Sequence, residues 1–185
     1  MLRRGADSAP YVMGVSGQGG YANIIMGPTD RVIGQGDILI IDTGAIFDGY
    51  FCDFDRNFAF GQPDDAARRA YDVVFQATET GLKAAGPGAT TSDLWRAMNS
   101  VLQAGGSLSN TVGRMGHGLG MQLTEGPSNK PGDDTELKPG MVMTLEPGME
   151  FAPGKLMVHE ENLVITEGGC ELLSRRAWPA MPIIG

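Results

Sequence analysis

One stretch of this chain occurs twice, and that repeat constrains the fold more than any other feature. Gly36-Asp37-Ile38-Leu39-Ile40-Ile41-Asp42-Thr43-Gly44 is matched later by Gly140-Met141-Val142-Met143-Thr144-Leu145-Glu146-Pro147-Gly148. In each copy a glycine opens a mostly apolar strand, an acid follows six residues after that glycine, and a second glycine stands two beyond the acid. Each copy also has an acid downstream, Asp53 in the first and Glu160 or Glu161 in the second. An internal duplication of this kind would gather two strand-borne pairs of carboxylates into one site. Buried together, four acids repel one another and lose hydration, so something positive must sit among them. A divalent metal is the economical answer.

Bulk properties narrow the class. At 185 residues the chain is long enough for one domain with a sizeable core. The net charge of -8, with no basic stripe, argues against nucleic acid as a partner. No apolar run approaches the roughly 20 residues of a membrane span, and no basic-then-apolar signal peptide opens the chain. Cys52 and Cys170 form no CxxC or zinc-ribbon spacing, which makes a reduced, cytoplasmic protein the expectation.

Taken in order, the first thirty or so residues are glycine-rich and give no helix. Ser16-Gly17-Gln18-Gly19-Gly20 lacks the spacing of a phosphate-binding loop, so no nucleotide is expected there. Tyr21 to Met26 reads as a short strand and Val32 to Ile41 as a buried one, bounded by Gly34-Gln35-Gly36. Asp48-Gly49 is the strongest hairpin signal. With those two residues as the turn, Phe47 faces Tyr50 and Gly44 faces Asp53. Side chains alternate along a strand, so Asp42 shares a face with Gly44 and becomes a diagonal neighbour of Asp53. The same register puts Asp55 opposite Asp42, which makes Asp55 a competitor for the same role.

Pro63-Asp64-Asp65 starts a helix with an acidic first turn. Its apolar stripe is Ala67, Ala70, Tyr71, Val74, Ala77 and Gly81, and Gly86-Pro87-Gly88 ends it. Thr91 or Ser92 should cap a second helix, with Leu94, Trp95, Met98, Val101 and Leu102 on its core face. Next comes Arg114-Met115-Gly116-His117-Gly118-Leu119-Gly120, in which a histidine between glycines has little bulk around it, as suits a ring approached by a ligand. His117 is one of two histidines in the chain, and it precedes the second carboxylate hairpin. That hairpin turns at Ala152-Pro153-Gly154. A two-residue turn pairs Glu146 with Glu161, whereas a three-residue loop with left-handed Gly154 pairs it with Glu160; the other glutamate is then read as lying on a solvated strand face. The tail around Trp178, Pro179 and Pro182 reads as irregular.

Two aspartates, one histidine and two glutamates make a hard, oxygen-rich set that suits a pair of divalent ions (manganese, iron, cobalt or zinc) rather than a structural zinc. Two such ions can share a bridging water, bring it to hydroxide near neutral pH and polarise a carbonyl. One glutamate can then carry the proton to the leaving nitrogen. That is hydrolysis of a C–N amide bond.

In these motifs the chain resembles the pita-bread metallopeptidases, the group of methionine aminopeptidases, Xaa-Pro aminopeptidases, prolidases and creatinase-like enzymes. The resemblance runs from about Ser16 to Ser174 and rests on the Asp of DxG at Asp42, a second Asp eleven residues on and followed by xxR (Asp53 to Arg56), the Gly-His-Gly-x-Gly segment, Glu-Pro-Gly at Glu146, and a Glu six residues before a strand-ending Thr, Glu160 to Thr166. It implies Asp42, Asp53, His117, Glu146 and Glu160 as metal ligands, selecting Asp53 over Asp55 and Glu160 over Glu161 and favouring the three-residue loop. Within that set it implies His117 and Glu146 as the catalytic pair, with Glu146 carrying the proton. It further implies an α+β fold of two pseudo-symmetric halves with a curved antiparallel sheet covered by helices, two divalent ions, a dipeptide or small-molecule substrate, and a homodimer. Prolidase-type members carry a separate amino-terminal domain and helices ahead of the Ser-Gly segment. This chain begins almost at that segment, so residues 1–185 are expected to be a single catalytic domain lacking the first half's N-terminal helices.

The departures bear on substrate. Seven residues after the ligand histidine the peptidases usually carry a substrate-contacting histidine; here Thr124 stands there. The segment ahead of the first metal strand, Ile24-Ile25-Met26-Gly27-Pro28, has no histidine either. Gly118 to Glu125 is similar to the ectoine-hydrolase branch, which opens a cyclic amidine or cleaves small non-peptide amides. An Xaa-Pro dipeptidase or aminopeptidase is therefore the leading expectation. The alternatives are a small-molecule amide or cyclic amidine hydrolase, a metal-dependent lyase, and a non-catalytic binding module on the same scaffold.

Overall fold

The turn at Asp48-Gly49 sets the first half of the molecule. The computed structural model describes residues 1–27, 29–109 and 113–185; Pro28, which closes the histidine-free segment, lies outside them. Asp48 and Gly49 both take positive φ, 50° and 82°, the twist a two-residue hairpin turn needs. They join β2 (Asp37–Phe47) to β3 (Tyr50–Phe60). The register is the expected one: Phe47 pairs with Tyr50, Gly44 with Asp53 and Asp42 with Asp55.

Upstream the structure departs from the expectation. Ser8–Gln18 is an eleven-residue strand, β1, antiparallel to β2. Its alternation is blurred by Gly14 and Gly17 and by an outer face open to solvent. Tyr21 to Met26 is not a strand; Tyr21 makes only a bridge to Leu156. Nor is Val32 buried, at 86% exposure: the chain turns at Gly36 and the strand begins at Asp37. Asp37 itself is buried because Arg31 grips both of its carboxylate oxygens at 2.7 and 2.8 Å, which holds its pKa below the usual carboxylate range.

Helix α1 spans Asp65–Ala84, its N-terminus capped by Asp64, whose side chain accepts from Ala67 N. All six predicted stripe residues are buried. Helix α2 (Thr91–Ala104) is capped one residue earlier than expected: Thr90 and Asp93 form a capping box, bonding each other's backbone N–H. Thr91 and Ser92, the expected caps, are buried and bond the 133–134 turn. The two helices pack on each other, and α1 also covers β7 and β8.

The second half contains β4 (His117–Gly118), β5 (Glu125–Ser128), β6 (Val142–Leu145), β7 (Gly148–Ala152), β8 (Lys155–Val158), β9 (Glu161–Thr166) and β10 (Gly169–Leu172). Strand β11 (Ile183–Ile184) returns to pair in parallel with β3. Sheet order is β1-β2-β3-β11 in one sheet and β10-β9-β6-β4-β5 in the other, with β7-β8 as a separate ribbon. The second hairpin combines parts of both expected geometries. Ala152 pairs with Lys155, a two-residue turn, and one extra residue in β7 then shifts the ladder so that Glu150 pairs with Leu156 and Gly148 with Val158. Leu145 pairs with Glu161 beyond the break, so Glu146 lies opposite Glu160. The expected pairing holds, through a bulge rather than a longer loop.

Polar side chains tie the halves together. Asn162 accepts from Asp53 N at 3.0 Å and donates to Asp53 O; Asn57 donates to Val158 O; Tyr21 donates to Asn57 and accepts from Val158 N. Glu161 is not on a solvated face: it is fully buried, bridged to Arg56 at 3.0 Å and Arg176 at 3.1 Å, and accepts from Ser174 and from Ala177 N. Removing one member of such a network strands the others. Glu161→Ala is therefore expected to lower stability by about 3–5 kcal/mol, a fall of about 6–20 °C in Tm for a chain of this size. A variant that melts with the wild type would contradict this role.

Candidate metal centre

Strands β3 and β4 and the residue just ahead of β9 bring one imidazole and two carboxylates together. Asp53, His117 and Glu160 are buried, and their ligand atoms lie within 4.8 Å of one another. His117 Nε2 is 3.6 Å from Asp53 Oδ2 and 4.0 Å from Glu160 Oε1. His117 Nδ1 lies 2.8 Å from the carbonyl of Gly118. A carbonyl can only accept, so this bond places the ring proton on Nδ1 and leaves the Nε2 lone pair facing the acids. Asp42, Glu146 and Thr124 line the same cavity of about 340 Å³, with Tyr11, Met13, Ile24, Ile25, Arg114 and Leu123 completing its wall.

The glycines around His117 serve a different purpose from the one expected of them. A Cβ on Gly116 would stand 2.1 Å from Thr144 O, and one on Gly118 would stand 2.4 Å from Gly126 O. They let β4 lie close against its neighbours, which seats His117, rather than clearing space for a ligand. Thr144 also holds the histidine's own backbone N–H, at 3.1 Å.

The electrostatics mark the set as incomplete without a cation. Burial, then the neighbouring Asp53, raises the Asp42 pKa to about 7. Burial likewise raises Glu146 to about 7, against the opposing charge of Arg114 and of His117 whenever its ring is protonated. Glu160 and Asp55 are pushed well above the carboxylate range by burial and then by the surrounding acids. Asp42 Oδ1, Asp55 Oδ1 and Glu160 Oε1 are buried with no hydrogen-bond partner among the described residues. Orphaned carboxylate oxygens beside a free imidazole nitrogen are the donor set a hard or borderline divalent ion takes, so the residues fit a metal.

Two features of the site lay beyond the sequence reading. Tyr11 reaches it from the unforeseen strand β1 and hydrogen-bonds Asp53; burial, then that bond, pushes its phenol pKa upward. Arg114, in the segment before His117, lines the cavity with no hydrogen bond or salt bridge among the described residues. His159, the other histidine, is buried outside the cavity, edge-on to the Tyr71 ring at 4.5 Å, and burial lowers its pKa to about 3.

A profile of metallopeptidase family M24 matches residues 1–167. The Xaa-Pro dipeptidase of Pyrococcus furiosus is 32% identical over 147 residues, covering 80% of this chain and 42% of that protein. The Xaa-Pro dipeptidase of Lactobacillus helveticus is 34% identical over 149 residues, covering 80% of this chain and 40% of that protein. The crystal structure of dipeptidase PepE from Mycobacterium ulcerans superposes with a TM-score of 0.91 at 29% identity, over 98% of this chain and 49% of that one. That of X-Pro aminopeptidase from Thermotoga maritima gives 0.88 at 28% identity, over 99% and 51%. This chain thus spans about half the length of the relatives it matches. The α+β pita-bread fold implied by the sequence is the fold it has. The chain belongs to metallopeptidase family M24.

Proposed function

We propose that this chain is a dinuclear-metal hydrolase of C–N amide bonds acting on Xaa-Pro dipeptides. The observation that carries the reading is the convergence of His117 Nε2 with Asp53 and Glu160 at a cavity that Asp42 and Glu146 also line, with orphaned carboxylate oxygens among them. Asp42, Asp53, His117, Glu146 and Glu160 would hold two divalent ions of the manganese, cobalt, iron or zinc kind. Once bound, such ions would supply Lewis-acid polarisation of the scissile carbonyl and an acidified attacking water.

The chain's own residues do the rest. Glu146, on the cavity wall, accepts the proton released in the attack and delivers it to the leaving nitrogen. Met13, Ile24, Ile25 and Leu123 give the cavity an apolar side for a hydrocarbon side chain or ring, and about 340 Å³ lies within the range of small-ligand pockets. Arg114 is a cation on this wall that makes no hydrogen bond or salt bridge among the described residues, placed to receive a free carboxylate. Arg114→Ala is expected to raise KM for Xaa-Pro about 10–100-fold, the value of a lost charge-assisted hydrogen bond. It should leave the C-terminally amidated substrate unaffected. A wild type that takes acid and amide equally well would remove Arg114 from this role.

A second reading has an observation of its own. His117 is the only histidine lining the cavity among the described residues, and Thr124 takes the place of a substrate-contacting one. This favours a small non-peptide amide or cyclic amidine as substrate. Metal-loaded protein assayed against Xaa-Pro dipeptides and against small cyclic amides and amidines decides between the two. Proline release that chelator abolishes supports the first; turnover of the non-peptide compounds alone supports the second. Two bound ions with neither activity would move the reading to a lyase or a binding module.

A further inference from the structure

Three strands place Tyr11, Gly44 and Asp53 in one row. Tyr11 on β1 pairs with Gly44 on β2, and Gly44 pairs with Asp53 on β3. Directly opposed residues share a sheet face, so all three belong to the face that carries Asp42. The middle member has no side chain, and the Tyr11 ring fills the gap: a Cβ on Gly44 would meet Tyr11 Cε1 at 2.7 Å and Oη at 2.9 Å. Lying across the glycine, the ring reaches the far strand and its hydroxyl donates to Asp53 Oδ1. The other oxygen, Oδ2, faces His117 Nε2 at 3.6 Å.

We infer that Tyr11 is a positioning residue for the metal centre, dividing the Asp53 carboxylate so that Oδ1 is held by the phenol and Oδ2 is presented to the ions. The inference rests on the metal reading above and adds to it the group that sets the ligand's orientation. It also gives the glycine of the Asp42-Thr43-Gly44 motif a physical reason, since any side chain there would displace the ring. Tyr11 lines the cavity as well.

Tyr11→Phe keeps the ring over Gly44 and removes only the hydroxyl. Val12→Ala alters the same strand at a neighbouring residue that is 60% exposed, and so controls for disturbance of β1. The probes are manganese binding by titration calorimetry and the visible absorption of the cobalt-loaded protein, with metal-free melting as a check on folding. Tyr11→Phe is expected to weaken manganese binding about 10–100-fold, as loss of a ligand's outer hydrogen bond does. It should also alter the cobalt spectrum and melt with the wild type when metal-free, and Val12→Ala should change none of these. Unchanged manganese affinity and cobalt spectrum in Tyr11→Phe would overturn this inference alone, as would equal weakening in both variants. A wild type that binds neither metal would overturn the metal reading and this inference with it.

Discussion

His117→Ala is expected to leave a folded protein that has lost hydrolytic turnover and retains at most one ion per chain. The ring is the single nitrogen donor in an otherwise all-carboxylate set, and its Nε2 points at both Asp53 and Glu160. Removing a hydrogen-bond partner outside a metal's ligands costs about 10–100-fold in affinity or activity, so removing a ligand should cost more. Without the imidazole, the two acids also face each other with nothing to hold them apart from a bare cavity. Glu146→Gln is the companion variant. It keeps the shape and a carbonyl oxygen but cannot accept a proton, so turnover should vanish. Elemental analysis, a thermal melt and a proline-release assay check both. A His117→Ala protein that kept two ions and wild-type turnover would remove the histidine from the mechanism.

The second large effect is on the stability of the metal-free protein. Asp42 and Glu146, each raised to about 7, and Asp55 and Glu160, raised well above the usual range, all bind protons more tightly folded than unfolded. Their stability is fully present below the unfolded carboxylate pKa of about 4 and is lost as pH rises, for Asp42 and Glu146 as it passes through about 7. His159 acts oppositely: its lowered pKa means stability is lost as pH falls from about 6.5 toward 3. Four carboxylates outweigh one imidazole above about pH 5.5. If the net loss is only about 2 kcal/mol, Tm of chelator-treated protein should fall by about 4–8 °C between about pH 5.5 and 8. Manganese or cobalt should stabilise more at the higher pH, because ions and protons compete for the same oxygens. A metal-free Tm that stays level or rises over this range would contradict the clustering of the acids.

How much of this could be read from the chain depended on how local each determinant was. The β2–β3 register followed from Asp48-Gly49 because a two-residue turn with positive φ at both positions fixes every pairing beyond it. The α1 stripe followed from a 3.6-residue period. The repeated motif pointed to Asp42 and Glu146, whereas the choice of Asp53, His117 and Glu160 to go with them came from the family resemblance; all five line one cavity. What escaped was set by distant partners. Strand β1 has glycines where alternation should show, and Tyr11 reaches Asp53 only because β1 pairs across Gly44. Glu161 looked solvated because Arg56 and Arg176, which bury it, lie far off in sequence or across an irregular tail. The bulge in β7 changed the turn without changing the pairing of Glu146 with Glu160. Asn162, which clamps the Asp53 backbone from the other half of the molecule, carried no motif at all.

The central claim is that these carboxylates and His117 hold two ions. Elemental analysis of protein incubated with manganese or cobalt and then desalted tests it most directly. Close to two ions per chain is the result the account predicts. Close to none would mean that the acids gathered on β2 and β3, just after β6 and just before β9 do not form a metal centre, and the hydrolytic reading would fall with it.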